Sequence, residues 1–368
     1  MKEPESPGGP SGPSRAARGA RRRHTREMLV IVVVIAVVAG LGWWVFGGSN
    51  APGGEKHPPP VGNSGVHSGN IDLLALSVAG GPAPYLAVVG TGPGGSRPAA
   101  VPIPSNLVIV VPGQGETPAK GVGALPGSSV QVALSNVMGT WVGEYAVMDI
   151  PQLQAVVDRA GGITVNLAVP EATSAGVIGP GPVQVNGDQV AALLSMKGGD
   201  SDVRWEQTLA GFLAAGPTVR RADLTSASSV GGVQQVLDAT TAAEVLPMPL
   251  NTVAGTAAIP AQPQFDELLA STWGTVPPTP VIVQNGSGAP GVGEEVARRI
   301  IPAGFRVVIS QNATSFDVAH TDIIANGLVH VNEARRVRKA LGVGLVQASR
   351  VPSGIGDITI VVGKDFTA

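Results

Sequence analysis

Apolar and polar residues follow two different periods after residue 70, and the mixture predicts an α/β fold. Short apolar runs bounded by Gly and Pro indicate strands, whereas apolar residues three and four positions apart indicate helices. The stretch 150–160 has the helical spacing and is followed by Gly161 and Gly162, which favour the end of a helix. Strands are predicted at 71–78, 85–89, 106–111 and 163–167, and further helices at 189–196 and 204–214.

The last part of the chain, residues 281–366, repeats a strand–helix pattern. One helix begins near Pro290 and a second ends at Gly342. This alternation predicts a small βαβ-type domain, separated by the proline-rich linker 277–280 from a larger α/β sandwich domain at 70–276. Its predicted strands are 280–284, 305–310, 343–347 and 357–362.

Residues 28–46 form an apolar run without any charged side chain. A helix over this run is about 28 Å long, close to the ~30 Å hydrocarbon core of a bilayer. Arginines crowd the basic tail 1–27 on one side, and Trp43 and Trp44 lie at the other end. The pattern predicts a single-pass plasma-membrane protein with a cytoplasmic N-terminus and extracytoplasmic domains.

A cleaved signal peptide is the alternative interpretation of the same run. Its apolar region is normally about 7–15 residues long, which is shorter than residues 28–46. The small residues that offer a cleavage site, 49–51, are followed by Pro52, which disfavours cleavage. The sequence therefore favours an uncleaved anchor, followed by a Gly- and Pro-rich tether at 47–69.

Charge and composition exclude several classes of protein. The chain has 24 basic and 26 acidic residues, and the tail holds seven of the basic and three of the acidic ones, which leaves 17 and 23 for the rest. A basic tail on a mildly acidic body is not typical of a nucleic-acid-binding domain. There is no cysteine, so thiol chemistry and cysteine–zinc sites are excluded.

Two motifs are candidate sites. Gly286, Gly288 and Gly291 match a dinucleotide-binding fingerprint, but the next predicted strand ends without the acidic residue that holds a ribose, so a tight turn is favoured. The polar cluster 200–207 places Asp200 and Asp202 beside Arg204, an arrangement that suits Mg²⁺ and a pyrophosphate. The alternative for that cluster is a solvated helix start, with Asp200 or Asp202 near the N-cap and Glu206 in the first turn.

Several segments, taken in order, resemble the LytR–CpsA–Psr family with a LytR C-terminal domain appended. The resemblance implies an envelope protein that handles polyprenyl-pyrophosphate-linked glycopolymers, which active members transfer onto peptidoglycan. The matching segments are 145–149, 157–165, 181–189, 281–288, 304–305, 321–323 and 361–365, together with the helix around Ala334.

The chain departs from the family at positions that carry charge. The Ile-Pro-Arg-Asp motif reads Ile103-Pro104-Ser105-Asn106 here, and two arginines before the acidic cluster become Ser195 and Lys197. Farther along, an Arg-Gln pair becomes Glu206-Gln207. Because chemistry at a pyrophosphate needs fixed positive charge, these losses favour a degenerate binding or scaffold protein of the cell envelope, a pseudoenzyme.

Two other hypotheses remain at this point. One is an active phosphotransferase with a rearranged site, in which Asp200 and Asp202 bind Mg²⁺ while Lys197 and Arg204 bind phosphates. The other assigns the main role to the C-terminal domain, which would dock a wall polymer or a protein. No cofactor is expected apart from Mg²⁺ in an active enzyme. The expected partners are the membrane and a polyprenyl-linked glycopolymer or wall component, with no nucleic acid.

Overall fold

The computed structural model describes residues 71–81, 84–198, 200–253 and 257–367. All of them belong to one compact unit, residues 62–368. Within this described part, no helix has the length and apolar character needed to cross a bilayer. The predicted tail, membrane helix and tether at 1–69 lie outside the described residues, so these predictions stay predictions.

The larger part of the unit is built on a mixed six-stranded sheet with strand order β11-β6-β1-β2-β3-β12. Its strands and those of four small hairpins are β1 Asp72–Ala79, β2 Tyr85–Thr91, β3 Ala99–Ile103, β4 Val108–Val111, β5 Gly115–Pro118, β6 Glu144–Asp149, β7 Ile163–Leu167, β8 Glu171–Thr173, β9 Gly176–Ile178, β10 Gly181–Val185, β11 Ser226–Ala227, β12 Glu244–Val245, β13 Leu250–Thr252 and β14 Ala258–Pro260. The helices are α1 Ala119–Val122, α2 Gly127–Met138, α3 Ile150–Arg159, α4 Gly187–Ser195, α5 Ser201–Ala214, α6 Val230–Ala239 and α7 Gln262–Trp273.

Both faces of this sheet are buried, which explains why its strands are apolar throughout rather than alternating. On β1, Leu74 and Leu76 pack on one face with α3, α4, α5 and α6. Leu73 and Ala75 point to the other face, against α2 and α7. The larger part is therefore a three-layer α/β/α sandwich, with two hydrophobic cores divided by one sheet.

The C-terminal part has its own five-stranded sheet with order β16-β15-β19-β17-β18. Its core joins Val281 and Phe305 on the strands to Val296 and Val337 on two helices, and it includes Val132 from α2 of the larger part. The elements are β15 Thr279–Asn285, α8 Val292–Ile300, β16 Phe305–Asn312, β17 Asp322–Asn326, α9 Val331–Leu341, β18 Leu345–Ser349 and β19 Ile358–Val362.

A buried polar junction joins the C-terminal part to the larger part. The side chain of Asn136 on α2 both accepts from the Val307 amide and donates to the Val307 carbonyl, each at 2.8 Å. Arg306 forms hydrogen bonds at 2.8 and 3.2 Å with the two carboxylate oxygens of Asp266 on α7. Its guanidinium also donates to the backbone carbonyl of Asn136 at 3.2 Å. These bonds fix the C-terminal sheet against two helices of the larger part, α2 and α7.

The glycine motif at 286–291 is a turn. The side-chain oxygen of Asn285 accepts hydrogen bonds from the amides of Ser287 and Gly288, both at 3.1 Å. Gly288 and Gly291 have φ values of 75° and 77°, which side chains other than glycine rarely adopt. The tight-turn interpretation of these glycines therefore agrees with the observed geometry.

Several predicted elements need correction at their ends. The strand predicted at 106–111 begins only at Val108, because the Leu107 amide donates to the Pro104 carbonyl and closes a turn. The helix predicted at 204–214 begins at Ser201, so Asp200 is its N-cap and Glu206 lies in the second turn instead of the first. The Asp200 side chain makes no capping hydrogen bond.

Candidate functional site

A stacked aromatic pair holds α5 and α4 against the sheet. Tyr85 begins β2 and Trp205 lies in the first half of α5, with ring centroids 5.5 Å apart and 29° between the ring planes. The Tyr85 hydroxyl donates to the Leu194 carbonyl of α4 at 2.6 Å, and the Trp205 indole donates to the Leu86 carbonyl at 3.0 Å. Because both polar tips are satisfied, the pair positions the N-terminal turn of α5 rigidly.

Asp202, in that first turn, is bound by Ser105 from the turn after β3. The Ser105 amide lies 3.2 and 3.3 Å from the two carboxylate oxygens, and the Ser105 hydroxyl lies 3.3 Å from one of them. The structure therefore brings Ser105 directly onto the acidic cluster, where an uncharged residue faces the Asp202 carboxylate.

Arg204 lies beneath this cluster and is only 3% exposed. It forms an ion pair with Glu171 of β8, with 3.4 Å between Nη1 and Oε1, and it donates to the Met196 carbonyl at 3.3 Å. Its Nε is buried and has no hydrogen-bond partner in the part of the chain that the structure describes. A buried donor without an acceptor is costly, and the buried Nε of Arg159 is in the same state within the described residues.

The charge around Arg204 is negative overall. Asp200, Asp202 and Glu206 on α5 and Glu171 on β8 outnumber the two cations of the cluster, Arg204 and Lys197. Burial raises the pKa of the Glu206 carboxyl, and the negative charge of Asp202 raises it further. Burial also raises the pKa of Tyr85, an effect that Arg204 opposes and Asp202 reinforces. A diphosphate entering this site would meet more carboxylates than cations.

The other candidate residues add little positive charge. Lys197 and Asp200 are exposed on either side of Gly199. Arg97, Arg220 and Arg221 are also exposed, and no hydrogen bond or ion pair links their side chains to the cluster within the described ranges. Arg220 and Arg221 instead lie in the turn whose Asp223 pairs with Arg159.

The predicted metal ligands Asp200 and Asp202 lie at the N-cap and in the first turn of α5. Both oxygens of Asp202 accept hydrogen bonds from Ser105, and Asp200 is exposed. Among the described residues there is no group of three or more His, Cys, Asp or Glu placed to hold a metal ion.

Sequence reasoning missed two residues that complete the site. Glu171, the partner of Arg204, lies in a short hairpin without any motif, and 33 positions separate the two residues along the chain. Tyr85 carried no signal except that it is one of two tyrosines in the chain. Folding brings Glu171 to Arg204 and Tyr85 to the neighbouring Trp205, contacts that local sequence patterns do not encode.

Comparison with known proteins confirms the resemblance seen in the sequence. Residues 279–366 match the model of the LytR_C family, described as LytR cell envelope-related transcriptional attenuator. The C-terminal part of the chain is therefore similar to a domain found in cell-envelope proteins. No curated protein matches the chain.

Solved structures that are similar to this chain cover only part of it. Bacillus subtilis TagV is 14% identical over 56% of this chain and 98% of its own, with a TM-score of 0.46. Bacillus subtilis TagT is 14% identical over 60% of this chain and 97% of its own, with a TM-score of 0.47. A structure described as the LytR-CPS2A-psr family protein YwtF (TagT) with bound octaprenyl pyrophosphate lipid is 13% identical over 55% of this chain and 91% of its own, with a TM-score of 0.44.

Proposed function

We propose that this protein is a membrane-anchored cell-envelope protein that binds a polyprenyl-linked glycopolymer without transferring it. The ligand class follows from the family resemblance of the sequence and from the envelope-related domain that residues 279–366 match. The anchor is the apolar run 28–46, with the N-terminus in the cytoplasm and the described part outside the membrane.

The proposal rests on the hydrogen-bond and ion-pair partners of Arg204 and Asp202. Ser105 donates hydrogen bonds to the Asp202 carboxylate, and the Glu171 carboxylate partly neutralises the guanidinium of Arg204. Transfer at a diphosphate needs several fixed cations against developing negative charge, and removing one such donor already costs about 10²–10³ in rate. Here a single buried guanidinium remains among four carboxylates, which suits holding a ligand better than transferring it.

The unsatisfied Nε of Arg204 supports ligand binding at this point. A phosphate or sugar oxygen that accepts from it would form a charge-assisted hydrogen bond, worth about 1.5–3 kcal/mol. Lysine at this position keeps the charge but has no Nε–H in the same place. Arg204→Lys therefore tests whether that donor contacts the ligand.

The experiment measures the dissociation constant of the full chain in detergent micelles for a polyprenyl-pyrophosphate-linked glycopolymer, by calorimetry. Arg204→Lys is expected to weaken binding by roughly 10- to 100-fold, the equivalent of one charge-assisted hydrogen bond. The matched control is Arg159→Lys, because Arg159 also pairs with a carboxylate, Asp223, and its buried Nε also lacks a hydrogen-bond partner among the described residues. Equal affinities for the two variants, or no binding by the unaltered chain, would contradict the proposal.

A further inference from the structure

A group of exposed apolar side chains lies at one end of the C-terminal sheet, outside the site described above. They occupy two loops, the turn at 327–330 after β17 and the loop at 350–356 between β18 and β19. Apolar residues exposed singly are ordinary, but four at one end of a sheet form a patch. We call this patch the apolar tip; it consists of Leu328 (66% exposed), Val329 (80%), Val351 (67%) and Ile355 (51%).

Hydrogen bonds tie the two loops together, so the tip is one surface. The Gly327 amide donates to the Ser349 carbonyl at 3.1 Å. The side-chain amide of Asn326 donates to the Gly356 carbonyl at 2.7 Å, and His330 lies 3.4 Å from Asp357. The apolar side chains are thus held next to each other by a fixed framework instead of hanging on separate loops.

Exposed basic side chains without carboxylate partners lie on α9, the helix that follows the turn of the apolar tip. The other basic residues of the C-terminal part, apart from the histidines, are ion-paired: Arg298, Arg299, Arg306 and Lys364. Five exposed ones form no ion pair within the described part of the chain. They are Arg335, Arg336, Arg338 and Lys339 on α9 and Arg350 at the end of β18.

The acidic groups near this surface are fewer than the cations. Glu333 on α9 and Asp357 before β19 are the carboxylates of the adjoining elements, and Asp322 of β17 accepts a hydrogen bond from Gln347. Two of the cations also have uncharged partners. Arg335 donates to the Asn332 side chain at 2.9 Å, and Arg336 lies over the Phe305 ring. The surface as a whole remains positive, on a protein whose larger part is acidic.

We propose that the apolar tip and α9 dock onto an anionic lipid surface. Exposed apolar side chains flanked by cations match a bilayer interface, where the apolar groups enter the headgroup boundary and the cations meet lipid phosphates. A hydrophilic polymer would give the apolar side chains no role. If the surface binds a protein instead of lipid, the experiment below will show no docking onto the vesicles.

The predicted anchor makes this docking an intramolecular event. The tether 47–69 spans at most about 80 Å when extended, whereas a domain of about 300 residues is only about 50 Å across. Any face of the described part is therefore within reach of the bilayer in which residues 28–46 are predicted to lie. A weak surface affinity suffices when the chain is already held beside the membrane.

The test uses the full chain in vesicles and exploits its lack of cysteine. Val329→Cys carries an environment-sensitive fluorophore, and the vesicles contain a spin-labelled lipid that quenches fluorophores at the headgroup boundary. A matched probe is placed by Val177→Cys, a 71% exposed valine on β9 of the larger part. Vesicles of phosphatidylcholine with phosphatidylglycerol are compared with vesicles of phosphatidylcholine alone.

Docking predicts a blue-shifted, quenched probe at residue 329 in the anionic vesicles and an unquenched probe at residue 177. The triple variant Arg335→Gln/Arg338→Gln/Arg350→Gln should reduce the docked population, by about fivefold in the equilibrium constant per cation removed. Arg220→Gln/Arg221→Gln should leave it unchanged. Equal signals from the two probes, or quenching that the triple variant does not alter, would overturn the proposal. A protein partner would leave the probe unquenched in these vesicles.

Discussion

At the scale of single residues, the chemistry of the site depends on the partners of its two charged side chains, Asp202 and Arg204. Ser105 donates to Asp202, and Glu171 pairs with Arg204. An arginine at 105 would place a second guanidinium beside the first turn of α5, whereas serine supplies only an uncharged donor. The polar contacts thus stabilise the fold locally and leave little fixed charge for chemistry.

Glu206 gives the site a pH-dependent cost in stability. Burial, and secondarily Asp202, raise the pKa of its carboxyl above the ordinary value. An acid with a raised pKa in the folded state binds more protons there than in the unfolded state, so stability falls as pH rises through the interval between the two pKa values. Glu206→Gln should therefore raise the melting temperature more at about pH 7 than at about pH 4.

Thermal unfolding followed by circular dichroism at the two pH values checks this expectation. Glu267→Gln is the control, because it removes an exposed carboxyl on α7. If Glu206→Gln raises the melting temperature equally at both pH values, or lowers it at neutral pH only, then burial does not destabilise the charged carboxylate in the folded state.

At the scale of elements, local patterns predicted the helices whose ends carry clear signals. The helix expected at 150–160 is α3, which starts with Asp149 and Gln152 in a capping box and is followed by Gly161 at a φ of 82°. The pattern failed for α2, where nearly every residue is buried and no amphipathic period remains. It also failed for β3, whose Ala and Pro residues are poor strand formers.

Local sequence patterns also predicted only part of the candidate site. Asp202 and Arg204 were found because they lie two positions apart in one polar cluster. Their partners, Ser105 and Glu171, come from the turn after β3 and from β8, far along the chain. The sequence identifies Ser105 as a substituted motif position, but only the packing of α5 shows that Ser105 donates hydrogen bonds to Asp202.

The junction between α2, α7 and β16 should contribute strongly to stability. Arg306 and Asp266 are both largely buried and doubly hydrogen-bonded, so removing one partner leaves an uncompensated charge. Asp266→Ala is expected to lower the free energy of unfolding by about 3–5 kcal/mol. Asp317→Ala, which removes the exposed partner of Lys364, should leave the free energy of unfolding nearly unchanged because solvent screens this pair.

Urea unfolding of the two variants, compared with the unaltered chain, measures these losses. If Asp266→Ala costs no more than Asp317→Ala, the junction does not hold the C-terminal sheet in place, and the described part would then be two loosely joined bodies.

At the scale of the whole molecule, charge is distributed unevenly. The tail is basic, the larger described part is acidic, and the unpaired cations of the C-terminal part gather along α9 and the end of β18. Around Arg204, by contrast, acidic side chains outnumber basic ones. This distribution agrees with the proposed docking of the apolar tip and α9 onto an anionic lipid surface.

The central claim is that the cluster around Arg204 binds a ligand without transferring it, and the rate of transfer tests it most directly. The full chain is incubated with a polyprenyl-pyrophosphate-linked glycopolymer, peptidoglycan and Mg²⁺, beside a relative that retains the Ile-Pro-Arg-Asp motif. Several missing donors, each worth about 10²–10³ in rate, predict transfer at least about a thousandfold slower than that of the relative. Transfer by this chain at a rate comparable to the relative's would contradict the account.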